Sequence, residues 1–579
     1  MNSDRVKALT VEELTAILEE SDSSDSETEN VDIVYIPPEV SALTDEEDID
    51  DNLLTEDVLE KDIAGTFEIH GKENSKVKIS KTSKNSMKPN WNKTEYPTYS
   101  VFPTSVESAC LQDMVVQYGE MSPFEIFSLF VDNTLLKLIA DFSIKYANSN
   151  NRHNFVCSKT ELKKFLGILF LSGYNSFPQQ DMFWSTDEDK GVDLVKKAMS
   201  RNRFREIKRN LHVSDNSSLD KRDKFSKLRP FIEYLNRKFI QFGIFSHNLS
   251  IDEQMVPYFG RHSAKMFIKG KPVRFGFKIW CLCSSNGYLY QFQPYGGATQ
   301  KSNDVHKTLG ERVVVDLLHV VQEPSHHRVF FDNFFSSFDL FVTLREKGFF
   351  ATGTIRDART GKCTLTGKKE MQKTQRGSYD SAQDNKNEIT MVRWNDNNIV
   401  TIATNYGSVH PLHKAKRFSR KERKSIHVNQ PDILMDYNKH MGGVDIHDNG
   451  VANYRIQIRG KKWWWSLFTN SLDSCMVNSW KLFNLLTPDK SMRQLDFKSY
   501  IARCLIRCES TEDVDYSGGS SRSSTVLDRI RFDGVGHIVK SDNETRRRCK
   551  LCHSTTVYQC KKCNCYLHLK CFEEYHLKK

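Results

Sequence analysis

Between Tyr96 and Ser246 the apolar residues recur at helical spacing, as in Pro123-Phe124-Glu125-Ile126-Phe127-Ser128-Leu129-Phe130 and Leu135-Leu136-Lys137-Leu138-Ile139-Ala140. Recurrence at i, i+3 and i+4 predicts helices with one buried face. Thr160 is a candidate N-cap for a further helix, with Glu161 in its first turn and Phe165, Leu166, Ile168 and Leu169 on its buried side. Basic residues accumulate in Arg201-Asn202-Arg203-Phe204-Arg205-Glu206-Ile207-Lys208-Arg209. Residues 96–248 therefore read as a helical domain with one basic face.

The period changes at Leu249. Leu249-Ser250-Ile251 reads as a short strand and Phe275 to Cys283 as a long one. Ser285-Asn286-Gly287 then turns the chain into Tyr288-Leu289-Tyr290-Gln291-Phe292, because Asn-Gly between alternating runs predicts a hairpin. A helix follows from about Glu311 to Val321, and a buried strand, Val329-Phe330-Phe331, ends at Asp332. This succession predicts a mixed α/β sheet flanked by helices over 249–356. Residues 357–430 interrupt it with a basic, β-rich stretch, in which Met391 to Trp394 and Ile399 to Ile402 flank Asn395-Asp396-Asn397-Asn398. Lys414-Ala415-Lys416-Arg417, continuing to Arg420-Lys421-Glu422-Arg423-Lys424, suits nucleic-acid contact, a nuclear import signal or a plain surface loop. Helical spacing returns in Asp436 to Asp448 and again in Trp463 to Leu485, giving segments 431–453 and 454–508. A Ser/Gly-rich linker, 509–540, is centred on Ser517 to Ser524. No repeat of solenoid length is present.

Charge divides the chain further. The net charge is +9 over 579 residues, yet residues 1–60 hold 20 Asp and Glu against Arg5 and Lys7, which leaves a balance of +27 on the remainder. A surplus of that size suits a phosphate-binding surface. Residues 1–95, with the runs Glu19 to Glu27 and Asp45 to Asp51, are too acidic and too poor in apolar residues to offset their conformational entropy. A disordered acidic tail is expected there, with one short helix at Thr10 to Leu18. Apolar stretches such as Phe165 to Leu171 and Val313 to Val321 are far too short to span a membrane, and no secretory leader is evident. A soluble, intracellular protein is the expectation. Six of the fourteen cysteines crowd between Cys549 and Cys571, which suits a reducing compartment and one metal module.

Candidate chemistry begins with four carboxylates. Asp252 and Asp332 end predicted strands, and Asp445 and Asp448 stand at i and i+3 on one face of a predicted helix. Phosphodiester chemistry by two divalent ions needs oxygen ligands converging on one spot, since hard Mg²⁺ prefers carboxylates. Position alone does not separate these four from the other aspartates. The blocks around them do: Ser250-Ile251-Asp252-Glu253-Gln254-Met255-Val256-Pro257-Tyr258-Phe259-Gly260-Arg261, Phe331-Asp332-Asn333-Phe334-Phe335-Ser336-Ser337, and Asp436-Tyr437-Asn438-Lys439-His440-Met441-Gly442-Gly443-Val444-Asp445-Ile446-His447-Asp448. In this order they resemble the piggyBac transposases, and more narrowly the piggyBac transposable element-derived proteins, from about Tyr96 to the C-terminus.

The resemblance implies an RNase H-like catalytic core with an insertion before its last helix, an α-helical DNA-binding and dimerisation domain, and a small C-terminal zinc-binding domain. It implies that Asp252, Asp332, Asp445 and Asp448 bind Mg²⁺ or Mn²⁺ and are catalytic. It also implies a nuclear homodimer that acts on double-stranded DNA, at transposon ends and TTAA targets, through hairpin ends. Beside the last helix, Arg455, Arg459, Lys461 and Lys462 lead into Trp463-Trp464-Trp465. Basic residues next to aromatic ones suit phosphate contact and base stacking, with Trp465 as a stacking candidate, although tryptophans at a helix start also serve as core anchors.

The C-terminal segment 541–579 carries Cys549, Cys552, Cys560, Cys563, His568, Cys571 and His576 within 28 residues. Two CxxC pairs followed by His and Cys predict zinc. Two interleaved tetrahedral sites need an eighth ligand, His553 or Cys565; a single Cys₄ ribbon is the alternative. So small a segment must fold on its metal. Arg546-Arg547-Arg548 beside Cys549 is a further DNA-binding candidate, in keeping with the end-recognising domain that the resemblance implies. A zinc module that binds another protein would carry the same spacing. Against the active transposase stands a domesticated DNA-binding descendant without transposition, and a scaffold built on the zinc module and the acidic tail. A binding role alone needs none of the four aspartates.

Overall fold

The computed structural model describes residues 32–36, 66–70, 89–102, 108–268, 273–297, 308–419, 423–509, 531, 537–541, 546–563 and 565–577. The expected helix at Thr10 to Leu18, the acidic runs, the tip Arg420 to Glu422 and the linker centre Ser517 to Ser524 lie outside them. The chain divides into two compact units, one of residues 1–131, 170–179 and 221–501, the other of 132–169, 180–220 and 502–579. Among the described residues no helix is long and apolar enough to cross a membrane.

The first unit is organised by a twelve-stranded sheet. Its strands are β1 (Asp32–Ile36), β2 (Thr66–His70), β3 (Trp91–Lys93), β4 (Asn248–Pro257), β5 (Met266–Phe267), β6 (Phe275–Ser284), β7 (Leu289–Pro294), β8 (Arg328–Phe331), β9 (Phe350–Thr354), β10 (Tyr379–Asp384), β11 (Ile389–Asn395) and β12 (Ile399–Thr404). They run in the order β2-β1-β5-β6-β4-β8-β9-β12-β11-β10-β3, with β7 paired to β6. The β4-β8 and β8-β9 pairs are parallel, and the long β6 lies antiparallel to β4 and β7. Parallel strands buried on both faces read as continuous apolar runs. Accordingly Val329, Phe330 and Phe331 of β8 are fully buried.

Three features depart from the sequence reading. Asp252 lies inside a ten-residue strand rather than at the end of a three-residue one. The strands expected to form a separate insertion, β10 to β12, continue the same sheet across β9. The acidic segment expected to be disordered as far as residue 95 contributes strands: β1 and β2 pair and reach β5, while β3 caps the far edge against β10. Trp91 explains the last contact, because its indole N–H donates to the Gly361 carbonyl (3.1 Å) and its ring meets Phe338 edge-on.

A separate two-stranded ribbon, β13 (His413–Ser419) and β14 (Lys424–Gln430), packs through Val428 and Ile426 against Val392, Trp394 and Ile402. The predicted helix over Asp436 to Asp448 is two helices, Asp432–His440 and Gly443–Asn453, broken at Met441 and Gly442. The helix Trp465–Leu486 is buried along most of its length. Asp473 ties it to both neighbours: it pairs with Lys498 of the following helix at 2.7 Å and accepts from the N–H of Ile456 in the segment before. Both charged side chains are 2% exposed.

In the second unit the helices Asn133–Ser149 and Arg201–Asn210, with most of Lys159–Ser172, form as the apolar spacing predicted. The cap of the middle one is Ser158 rather than Thr160: its hydroxyl accepts from the Glu161 N–H, and the Glu161 carboxylate accepts from the Ser158 N–H. The basic face expected on Arg201–Asn210 is largely used up internally. Arg203 pairs with Glu161 and Glu206, Arg205 with Asp181, and Lys208 donates to Gln180.

Candidate carboxylate site and zinc centres

Parallel pairing of β4 with β8 matches Ile251 with Phe331, so Asp252, within β4, and Asp332, just past the end of β8, follow the last matched pair. The spacing of neighbouring strands is about 4.8 Å. On the other side of β8, Phe331 matches Gly353 of β9, which puts Thr354 next to Asp332. The backbone register itself thus builds a row of oxygen-bearing side chains across three strands.

One face of β4 is covered by the chain after the insertion. Side chains alternate along a strand, so Ser250, Asp252 and Gln254 share a face. Ser250 bonds the Met441 carbonyl, and the Gln254 amide donates to Asp448 at 3.0 Å. Gln254 in turn accepts from Asn470 of the long helix (3.2 Å). Gly443 permits the approach: a Cβ there would lie 2.3 Å from the Ser284 carbonyl oxygen and 2.9 Å from the Ser250 Cβ. Between the two helix aspartates His447 is fully enclosed, its ring nitrogens 3.1 Å from the Gly287 carbonyl and 3.1 Å from the Ser474 hydroxyl. Burial holds this imidazole neutral, at a pKa of about 4. Arg455 lies 3.8 Å from Asp448.

Charge relations agree with this placement. Burial first, and then the Asp332 and Asp252 carboxylates, push the Tyr437 phenol well above its ordinary pKa, while its hydroxyl meets that of Thr354 at 3.5 Å. Burial, the neighbouring Cys283, and then Asp448, Asp252 and Glu253 do the same to the Cys281 thiol. Asp252 and Asp332 thus both lie near Tyr437, and Asp252 and Asp448 both near Cys281. Asp445, one turn before Asp448, is exposed. Where three or more ligating atoms lie within 4.8 Å of one another among the described residues, the groups belong to the C-terminal module, and the aspartates are not among them.

Trp465 needs correction as a base-stacking candidate. It is 4% exposed, its indole N–H donates to the Ile458 carbonyl (2.9 Å), and Trp464 beside it is 1% exposed. Both anchor the helix start. Trp463 stacks on His262 at 4.1 Å and packs against Phe225 and Phe277. Of the basic candidates here, Arg459 is exposed while Arg455, Lys461 and Lys462 are half-buried, with Lys462 over the Trp464 ring.

The C-terminal module holds two four-ligand groups, Cys549-Cys552-His568-Cys571 and His537-Cys560-Cys563-His576. Their ligands alternate along the chain in the interleaved manner anticipated, and all seven expected residues take part. The eighth is neither His553 nor Cys565 but His537, which lies in the segment read as linker; a lone histidine with no nearby CxxC gave no sequence signal. Its Nδ1 is 3.5 Å from both Cys560 and Cys563 Sγ, His576 Nε2 is 3.4 Å from Cys563 Sγ, and His568 Nδ1 is 3.2 Å from Cys552 Sγ. A tetrahedron with bonds of about 2.0 to 2.3 Å has edges near these lengths. Close contact of the two sulfurs holds the Cys560 thiol below its ordinary range and pushes Cys563 above it. The remaining imidazole nitrogens are fixed by backbone: His568 Nε2 at 3.0 Å from the Thr555 carbonyl, His576 Nδ1 at 2.7 Å from that of Phe572. The donor set fits zinc. Arg546, Arg547 and Arg548 are exposed beside Cys549, on a hairpin with Thr555 and Thr556.

With this geometry in view the class can be given. Residues 122–480 match a family model described as Transposase IS4, which makes this a protein of transposase type. Over 459 residues the chain is 40% identical to PiggyBac transposable element-derived protein 3 of Homo sapiens, covering 79% of this chain and 76% of that protein. Over 462 residues it is 37% identical to PiggyBac transposable element-derived protein 2 of Homo sapiens, covering 79% and 77%. A solved piggyBac transposase, in a synaptic complex with hairpin DNA, superposes with a TM-score of 0.56 at 19% identity, over 78% of this chain and 97% of that one. The chain belongs to the piggyBac transposase family.

Proposed function

We propose that this protein is a metal-dependent DNA transposase of the piggyBac type, cutting and rejoining strands at TTAA sites in the nucleus, as a homodimer. The observation that carries the reading is the strand register in which Asp252 and Asp332 follow the last matched pair of β4 and β8, with Asp448 docked through Gln254 on the same face. In this reading the core is RNase H-like: the local order β7-β6-β4-β8-β9, with β6 the antiparallel member beside a parallel β4-β8-β9 group, supports it. Asp252, Asp332, Asp445 and Asp448 would hold Mg²⁺ or Mn²⁺, whose all-oxygen preference their carboxylates meet. When bound, the divalent ions supply charge neutralisation and activation of the attacking oxygen. The chain's own contribution is placement. β4 and β8 fix two carboxylates, the Gln254 amide orients Asp448, and buried neutral His447 locks the helix that carries Asp445 and Asp448. The exposed Asp445 leaves the site open toward a duplex. Arg455, Arg459, Lys461 and Lys462 would receive phosphates, and Arg546 to Arg548 would contact DNA from the zinc module.

The test uses purified protein, Mn²⁺ and a duplex bearing TTAA next to the presumed element end. The parent should nick and form hairpins. Asp332→Ala should lose at least ~10³ in rate, about 4 kcal/mol of barrier, while binding the same duplex. Equal cleavage by both proteins removes Asp332 from the site. Binding without cleavage by the parent favours the domesticated descendant.

A further inference from the structure

The ribbon β13-β14 is not used by the carboxylate site, and its two faces differ in kind. The inner face is fastened down: Val428 and Ile426 enter the core, Arg417 pairs with Asp396 at 2.9 Å, and the Trp394 indole donates to the Asn429 carbonyl at 2.8 Å. The outer face alternates with it. Lys414, Lys416 and Phe418 are exposed on one strand, opposite Asn429, His427 and Ser425, all exposed, on the other. Phe418 is 61% exposed, an unusual place for a phenylalanine near the end of a strand. Among the described residues of the ribbon, 413–419 and 423–430, there is no Asp or Glu, and Lys414 donates to the Asn429 side-chain oxygen across the outer face.

Dimensions narrow the partner. Seven residues per strand give a ribbon about 23 Å long at ~3.3 Å per residue, and a two-stranded ribbon is one of the two elements that a duplex major groove, about 12 Å wide, admits. A solvated lysine face alone would not need an exposed aromatic ring. An apolar side chain beside lysines suits a groove wall or a partly opened base step. We infer that β13-β14 is a second, duplex-binding surface, in which Lys414 and Lys416 contact phosphates and Phe418 packs into the groove. The inference rests on DNA being the partner, but not on catalysis.

The experiment measures binding of the full-length protein to a fluorescein-labelled 30-base-pair duplex of arbitrary sequence, by anisotropy between 50 and 300 mM NaCl. Each phosphate contact adds about 0.9 to the slope of log Kd against log salt. K414S/K416S should lower that slope by about 2 and weaken binding at least tenfold at 100 mM. F418S should keep the parental slope and weaken binding about threefold to tenfold. The three positions point outward, so the fold survives their replacement; unchanged tryptophan fluorescence checks this. Parental slope and affinity in both variants overturn the inference. Unchanged duplex binding with lost binding to poly-glutamate overturns it too and gives the face to an acidic protein. Cleavage by the parent separates the two readings: a parent that binds but does not cut removes the transposase reading and leaves the ribbon untouched, whereas a parent that binds no duplex removes both.

Discussion

The two candidate metal-binding regions obtain their geometry in opposite ways. Around Asp252 and Asp332 the positions are dictated by hydrogen-bonded strands whose neighbours, Ile251 and Phe331, are fully buried. The site would keep its shape with or without ions. In the C-terminal module the strands are two or three residues long, and the buried cluster is made of Cys549, Cys560, Cys563, Cys565, Leu567, Cys571 and Tyr575. Five of those seven are cysteines, and four are ligands. There the candidate metal ligands make up most of the core. A sheet holds its carboxylates in place without ions, whereas a segment of this size with so small an apolar core would depend on a bound metal to fold.

Chelation should therefore separate the regions more sharply than any substitution. Zinc contributes apparently about 10 to 16 kcal/mol to folding in small fingers, so phenanthroline should unfold residues 537–577 and expose them to protease. All eight tryptophans lie between Trp91 and Trp480, so their fluorescence should stay constant meanwhile. Two zinc ions should be released per chain. A single ion would remove one of the two sites, and a concurrent tryptophan change would show that the two regions do not unfold independently. H537A should retain one zinc, while H553A and C565S should each retain two.

The next largest effect belongs to the sheet region. Lys498 and Asp473 are both 2% exposed, and burial pushes the Asp473 carboxyl up while Lys498 opposes the shift. Removing one partner strands a buried charge at a cost of about 3 to 5 kcal/mol. Lys498→Met should lower the urea midpoint followed by tryptophan fluorescence and leave zinc content at two. D473N/K498M should recover most of the loss, because neither charge then remains. Unaltered stability in the single variant would show that this region does not depend on its internal polar pairs.

Legibility from sequence followed the same divide. The hairpin at Asn286-Gly287, the strand ending before Asp332 and the helices on either side were readable because alternation and helical spacing report burial directly. The extent of β4 was not, since Glu253 to Pro257 pair only with β6 and carry no clean alternation. The break at Met441 and Gly442 was masked by aspartates at helical spacing on both sides of it. Trp465 shows the limit of composition: a basic stretch beside tryptophans has the same letters whether the rings face DNA or the core, and the Ile458 carbonyl decides. The zinc module was legible through paired spacing, and His537 was missed because a single ligand has no spacing to read. Arg203 and Arg205 read as part of a basic face because Glu161 and Asp181, which neutralise them, are distant in the chain.

Acid offers the mildest separation of the two regions. His262 stacks against Trp463, and burial, followed by repulsion from Lys224, lowers its pKa from 6.5 to about 4. Between those values the folded state binds fewer protons than the unfolded chain. Stability is thus complete above about pH 6.5, falls as the pH drops, and stops falling on this account below about 4. The cost at the low end is at most about 3 kcal/mol, and less in proportion to the ring's partial exposure. In H262F, which keeps an aromatic stack and cannot titrate, the urea midpoint read by tryptophan fluorescence should be flatter between pH 6.5 and 4. Zinc release should be the same in both proteins, because acid acts on the module by protonating its own thiolates and imidazoles. Identical midpoint profiles for parent and variant would mean that His262 is not the group through which the sheet region feels acid.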